Sequence, residues 1–190
     1  MDYSIYNNYL NINAGIKNHF DQELFDRESE GYDSIYSSIL PPNTSAKILD
    51  VGCGNGMFLY YLKKKGYNNS FGIDLNIESV QFTTQYITEN VECINIERFL
   101  VDKKEVYDVI VMNEVLEHIP VNKLIDVISK IKIALKFGGL FICYVPNMEN
   151  PITGIFTRYH GFTHTIGFTS NSLAMSLSLA GFNDVKIIIQ

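Results

Sequence analysis

Three glycines at alternate positions, Gly52, Gly54 and Gly56, follow an apolar run in "ILDVGCGNGMF", where a strand should give way to a helix. Glycine admits positive φ and close backbone approach, at an entropic cost where neither is needed, so a ligand is expected against this loop. Two readings compete. The dinucleotide fingerprint is GxGxxG, and here the third glycine comes one residue early, with Met57 in its place, which weakens a nicotinamide-dependent oxidoreductase. The GxGxG form lets an amino acid and a ribose approach without a pyrophosphate. Asp74, closing "FGID", is in reach of two ribose hydroxyls, which one carboxylate can accept together; capping the next helix is its plainer role. Two histidines complete the set. His118 in "LEHI" has an imidazole whose unperturbed pKa of about 6.5 suits deprotonating a hydroxyl, and His164 follows in a long aromatic stretch. Their rival roles are a structural hydrogen bond for His118 and a bystander position for His164. His160 and His164 are four apart, yet Gly161 and Thr163 disfavour a helix there and the glutamate of HExxH is missing, so no metal is expected. Glu114 and Glu117 have no sugar-cleaving context, and Cys53 has no histidine neighbour in sequence to activate it.

These residues need a scaffold that brings them together. Strand-like and helix-like segments alternate: "AKILDV", "GMFLYYLKKKG", "SFGIDL", "IESVQFTTQYI", "VECINI", "YDVIVMNEVL", "VNKLIDVISKIKIALKFGG", "LFICYVP", "TSNSLAMSLSLAGF" and "DVKIII". The pattern predicts an α/β fold, a doubly wound, mostly parallel sheet with six strands and its ligand beyond their carboxyl ends. Helical spacing between Tyr3 and Leu40, ended by Pro41-Pro42, predicts two N-terminal helices. The glycines of "KFGG" and "LAGF" are expected at helix C′ positions, with Thr169 or Ser170 as the last N-cap.

Composition narrows the function. At 190 residues with 46% hydrophobic content, one globular domain is expected. A net charge of −6 argues against a nucleic-acid partner. No apolar run approaches a membrane span and the start lacks signal-peptide order, so a cytoplasmic protein is expected. Cys53, Cys93 and Cys143, widely spaced in apolar runs, read as buried thiols.

"LDVGCGNG", "GIDLN", "YDVIVMNEVLEHI" and "LKFGGLFICYVPN", in that order and at these separations, resemble class I S-adenosylmethionine-dependent methyltransferases. The resemblance runs from about Lys47 to the C-terminus. "EVLEHIP" and "VPN", followed by "RYHGFTHTIGFT", are most similar to the small-molecule O-methyltransferase branch, which includes ubiquinone-biosynthesis and sugar or polysaccharide enzymes. It implies a Rossmann-like fold and S-adenosylmethionine as cofactor. Carried over by residue, Asp50 holds the loop or the methionine amino group, and Gly52, Cys53, Gly54 and Gly56 line the cofactor. Asp74 with Leu75 takes the ribose. Asn95, where the family usually has aspartate, and Ile96 take the adenine, with Glu97 as a rival to Asn95. Asn113, Val115 and Leu116 face the methionine portion. His118 and His164 are the implied catalytic histidines.

The resemblance also frames the methyl acceptor. Amino-methylating relatives acting on adenine or glutamine commonly carry an NPPY-like motif where this chain has "MNEVLEH", which favours a hydroxyl on a small molecule or sugar. Tyr6, Arg158 and Tyr159 are candidate substrate contacts, Arg158 for an anionic group, with half-buried surface and a surface ion pair as the alternatives. Residues 1–42 are read as a helical lid and 43–190 as the cofactor-binding unit. A cofactor-binding but inactive regulatory domain is the second alternative beside the oxidoreductase. The family's closing hairpin, whose seventh strand is antiparallel, has no residues after "GFNDVKIIIQ". The last strand is therefore expected to be covered by further C-terminal sequence or by a second copy.

Overall fold

The segment Ile48–Val51 is buried at all four positions, the mark of a strand covered on both faces. In the computed structural model, which describes residues 19–150, 152, 154 and 163–189, it is β1 at the centre of a parallel sheet. The other strands are β2 (Ser70–Asp74), β3 (Val91–Cys93), β4 (Tyr107–Asn113) and β5 (Leu135–Tyr144), in the order β3-β2-β1-β4-β5. β1 pairs with β2 from Ile48↔Ser70 to Val51↔Ile73, and with β4 from Ile48↔Val109 to Val51↔Met112. The helices are α1 (Gln22–Tyr36), α2 (Met57–Lys64), α3 (Ile77–Tyr86), α4 (Ile96–Phe99), α5 (Val121–Ala134) and α6 (Ser170–Leu179).

Because side chains alternate across a strand, the sheet divides the interior into two cores. Leu49, Val51, Ile110 and Met112 pack with Leu124 and Ile128 of α5 and Leu173 of α6. Ile48, Val109 and Val111 pack with Phe58 and Leu62 of α2 and with Phe25 and Tyr36 of α1. The chain is doubly wound, as its alternating segments predict. Strand order reverses between β1 and β4, which opens a crevice at their carboxyl ends.

α1 begins at Asp21, whose side chain accepts from Leu24 N at 3.1 Å, and it is fastened by aromatic contacts. The Tyr32 and Tyr36 rings stand 5.2 and 4.7 Å from that of Phe58. The first of the two expected N-terminal helices, and with it Tyr6, lies outside the described residues, as do Arg158 and Tyr159. Thr169 closes a capping box on α6, and Gly181 follows that helix with φ +93°, the left-handed residue expected there.

Three expectations are corrected. "KFGG" does not end a helix by a glycine cap: α5 stops at Ala134 and Leu135 is already extended, paired with Tyr107. The pairing then jumps to Val109↔Leu140, so residues 136–139 form an irregularity within β5. A Cβ on Gly139 would stand 2.9 Å from the Lys136 carbonyl oxygen, so close backbone approach accounts for the glycine. "DVKIII" is not a sixth strand: residues 183–189 carry no strand pairing, and the sheet has five strands. They run beside β5, where Leu140 to Val145 and Asp184 to Ile189 line an apolar groove of about 390 Å³. Cys93, expected to be buried, is exposed because β3 is an edge strand. Among the described residues no helix is long and apolar enough to cross a membrane.

Candidate functional site

β1 runs into Gly52, at φ +74°, where an added Cβ would stand 2.3 Å from Cγ2 of Val115. The loop thus passes against the segment after β4 with no room for a side chain. Gly52 N and Cys53 N both donate to the Ile73 carbonyl, at 2.8 and 3.1 Å, which ties the loop to β2. Gly54 N donates to Asp74 Oδ2 at 2.8 Å, and the Thr83 hydroxyl of α3 donates to the Gly54 carbonyl at 3.0 Å. Asp74 Oδ1 accepts from Asn76 N at 2.8 Å. A carboxylate offers about four acceptor sites, so capacity remains for further donors. Burial raises the Asp74 pKa against the backbone N–H bonds that hold it down.

These groups wall a cavity of about 310 Å³ at the carboxyl ends of β1 to β4. Of the residues singled out in the sequence, Gly52, Gly54, Asp74, Leu75, Asn95, Ile96, Asn113, Val115 and His118 line it. Asp50, Cys53, Gly56 and Leu116 stand behind that wall. Cys53 packs in the core against Gly72, Gly56 precedes α2 against Thr83, and Leu116 is fully buried. Asn95 caps α4, its Oδ1 accepting from Glu97 N at 2.7 Å. Glu97 lines the same wall with its carboxylate 2.7 Å from Lys123 Nζ. Asn113 Oδ1 accepts from the Tyr36 hydroxyl, while its Nδ2 is buried with no partner among the described residues. This Tyr36 contact, which links α1 to the cavity, joins residues far apart in sequence and has no local signature. Glu114, read in the sequence only as one of a carboxylate pair, also lines the cavity. Its φ of +54° is uncommon for a residue with a side chain and frequent at sites that act on ligands.

Asp50 is 2% exposed, and its Oδ2 has no partner among the described residues. Burial, with the Asp74 charge adding to it, pushes its pKa up to about 8. An unfolded chain releases this proton near pH ~3.9. Between the two values the folded protein holds a proton that the unfolded chain has lost, so stability falls as pH rises through that window and levels off above it. Asp50→Asn removes the effect. In melting experiments on cofactor-free protein, the variant should gain on the parent from about pH 5 to about pH 8 and no further beyond. A difference that does not vary with pH would show that Asp50 is ionised in the fold throughout.

His118 and Ile119 line the cavity where the turn Leu116–His118 ends, and residues 163–166, His164 among them, pack against that turn without lining the cavity. Thr165 N and Ile166 N donate to the Glu117 carbonyl at 2.9 and 3.2 Å, and the Thr165 hydroxyl donates to that of Ile119 at 2.6 Å. This pairing sets the His118 and His164 rings 4.8 Å apart, edge to face. His118 Nδ1 lies 3.2 Å from the Thr163 carbonyl. A carbonyl only accepts, so Nδ1 carries the proton and the lone pair of the neutral ring is on Nε2. Burial lowers the His118 pKa, with the Thr163 bond opposing and His164 adding. Glu117 is 1% exposed, neither carboxylate oxygen has a partner among the described residues, and burial, with the Glu114 charge adding, pushes its pKa up to about 8.

Comparison with known proteins agrees with this arrangement. A family model described as a methyltransferase domain matches residues 15–187. The ubiquinone biosynthesis O-methyltransferase of Idiomarina loihiensis is 31% identical over 121 residues, which is 60% of this chain and 49% of that protein. The EEF1A lysine methyltransferase 2 of Danio rerio is 43% identical over 54 residues, 28% of this chain and 23% of that protein. The chain spans about half or less of the length of these relatives. An S-adenosylmethionine-dependent methyltransferase structure from Archaeoglobus fulgidus superposes with a TM-score of 0.72 at 22% identity, covering 87% of this chain and 76% of that one.

Proposed function

From the premise that this chain belongs to the methyltransferase-domain family and takes S-adenosylmethionine as its cofactor, we propose that it methylates a hydroxyl of a small molecule or sugar. The family match sets the oxidoreductase alternative aside. The observation that carries the reading is that Asp74, bonded to the glycine loop through Gly54 N, and His118, after β4, line one cavity.

The residues present fit this cofactor. Asp74 retains acceptor sites toward the cavity for two ribose hydroxyls, Gly52 and Gly54 let the methionine portion lie against backbone, and Asn113 Nδ2 is a donor for its carboxylate. Leu75, Asn95 and Ile96, which line the same cavity, would hold the adenine. When bound, S-adenosylmethionine supplies a sulfonium methyl whose transfer to oxygen breaks the carbon–sulfur bond and leaves the electron pair on sulfur. The chain's own task is chiefly alignment, which supplies about 7–11 kcal/mol against roughly 3–5 kcal/mol for one general base. His118 and His164 are the residues to meet the acceptor hydroxyl, and α1 serves as a lid, held to the site through Tyr36 and Asn113. The 31% identity to a ubiquinone biosynthesis O-methyltransferase supports oxygen as the target; the shorter match to a lysine methyltransferase makes nitrogen the competing outcome.

Asp74→Ala should weaken S-adenosylhomocysteine binding by about 1.5–3 kcal/mol, roughly 10- to 150-fold, through loss of charge-assisted hydrogen bonds. Calorimetry measures this directly, and unchanged affinity would sink the ribose assignment. Turnover of methyl-labelled cofactor against hydroxylated metabolites, sugars and lysine peptides tests the acceptor class. Label entering only the peptides would overturn the hydroxyl reading.

A further inference from the structure

The hydrogen bond from Tyr36 to Asn113 joins α1 to the carboxyl end of β4 across 77 positions of chain. Both partners are held from elsewhere. The Tyr36 side chain is 1% exposed, and its ring stands 4.7, 6.0 and 6.5 Å from those of Phe58, Tyr32 and Tyr61. Asn113 pairs with Tyr144 of β5, and the next amide, Glu114 N, donates to the Tyr144 carbonyl at 2.9 Å. The backbone that carries the Asn113 side chain is therefore fixed. What remains free is the side-chain amide, which can turn over and exchange donor for acceptor. The Tyr36 hydroxyl selects one orientation. Burial, with the Asp50 charge adding, raises its pKa, so it keeps its proton and donates it to Asn113 Oδ1. With the amide reversed, that proton would meet Nδ2, which has no lone pair to receive it. Nδ2 is thus turned away from α1, and it is buried with no partner among the described residues. Such a donor is costly to leave unmet. Asn113 lines the cofactor cavity, which places an acceptor on the bound cofactor within its reach.

We propose that Tyr36 is a positioning residue for the cofactor: by holding Oδ1 of Asn113 it aims Nδ2 at the methionine carboxylate, and so makes the cavity prefer molecules that carry that carboxylate. This role rests on the placement of the carboxylate at Asn113 given above and is independent of the methyl acceptor. The two bonds of the amide reinforce each other. An N–H engaged by a carboxylate polarises the carbonyl at the other end, which then accepts more strongly from Tyr36. α1 is held more firmly when the carboxylate is present, and by linkage the hold of α1 raises affinity for the carboxylate.

The test uses the whole chain and two probes in calorimetry, S-adenosylhomocysteine and methylthioadenosine. They share the adenosine and the thioether, and the second lacks the amino-acid portion. Tyr36→Phe deletes one oxygen and keeps the packed ring. It should bind S-adenosylhomocysteine ~2–10-fold more weakly, the worth of one neutral hydrogen bond, and bind methylthioadenosine as the parent does. Asn113→Ala should lose ~10–150-fold toward S-adenosylhomocysteine, the worth of a charge-assisted bond, again with methylthioadenosine unchanged. Adding Tyr36→Phe to Asn113→Ala should cost nothing more, because the hydroxyl acts only through the amide. Amides of α1 should exchange hydrogen more slowly with S-adenosylhomocysteine bound than with methylthioadenosine, and Tyr36→Phe should erase that difference. Equal losses for both probes in Tyr36→Phe, or the same loss with and without Asn113, would make Tyr36 a packing residue and overturn the role. Parental S-adenosylhomocysteine affinity in Tyr36→Phe beside a loss in Asn113→Ala would overturn the role and leave the carboxylate placement standing. Parental affinity in Asn113→Ala would overturn both.

Discussion

His118→Ala is expected to lower methyl-transfer turnover by ~10²–10⁴-fold while changing S-adenosylhomocysteine affinity far less. The imidazole lines the same cavity as Asp74 and is held by the Thr163 carbonyl at 3.2 Å. Under the proposed function, its loss removes the group that meets the acceptor hydroxyl. The proposed cofactor anchors, Gly54, Asp74 and Asn95, are untouched. The decisive measurement is a split between constants: kcat should collapse, with the cofactor Kd within a few-fold of the parent. A merely structural histidine would move melting temperature and cofactor affinity together and leave turnover per folded molecule intact. Normal turnover in the variant would take His118 out of the chemistry.

What was legible in the sequence follows the range of the forces involved. The β1, glycine loop and α2 unit is local: an apolar run, a backbone that must turn without side chains, then a 3.6-residue pattern. Asp74 was legible for the same reason, since it sits where a strand ends and a helix starts. "VKIII" has strong strand propensity but forms no strand, because a groove separates it from the β5 edge it runs beside, and tertiary context overrides propensity. The same dependence hid the irregularity at residues 136–139. Its glycines look like a helix stop in one dimension; in the fold Gly138 turns the chain at φ +74° and Gly139 lies against the β4 backbone. At the site, Tyr36 meets Asn113 and Glu117 joins His118 and His164 through contacts between distant segments. No spacing in the sequence announces those contacts. His160 and His164 are four apart along the chain, whereas the side chains gathered in the fold, Glu117, His118 and His164, come from two loops.

The glycine loop permits the strongest single test of how the cavity is built. Gly52→Ala should cost about 1–2 kcal/mol for a Cβ in the left-handed region. Overpacking adds about 1–3 kcal/mol, because that Cβ would stand 2.3 Å from Cγ2 of Val115. Val115 lines the cavity, so the displaced side chain moves into the space proposed for the methionine portion of the cofactor. The two effects together predict that S-adenosylhomocysteine affinity falls by ~10²–10³-fold, with a lower melting temperature. A double-mutant cycle separates the terms. Val115→Ala on the Gly52→Ala background removes the colliding methyl groups and leaves the backbone strain, so part of the affinity should return, with a coupling of about 0.5–3 kcal/mol. Absence of coupling would mean that strain alone acts and that the loop does not press on the segment after β4. Parental affinity in Gly52→Ala would remove the close-packed loop as the basis of cofactor binding.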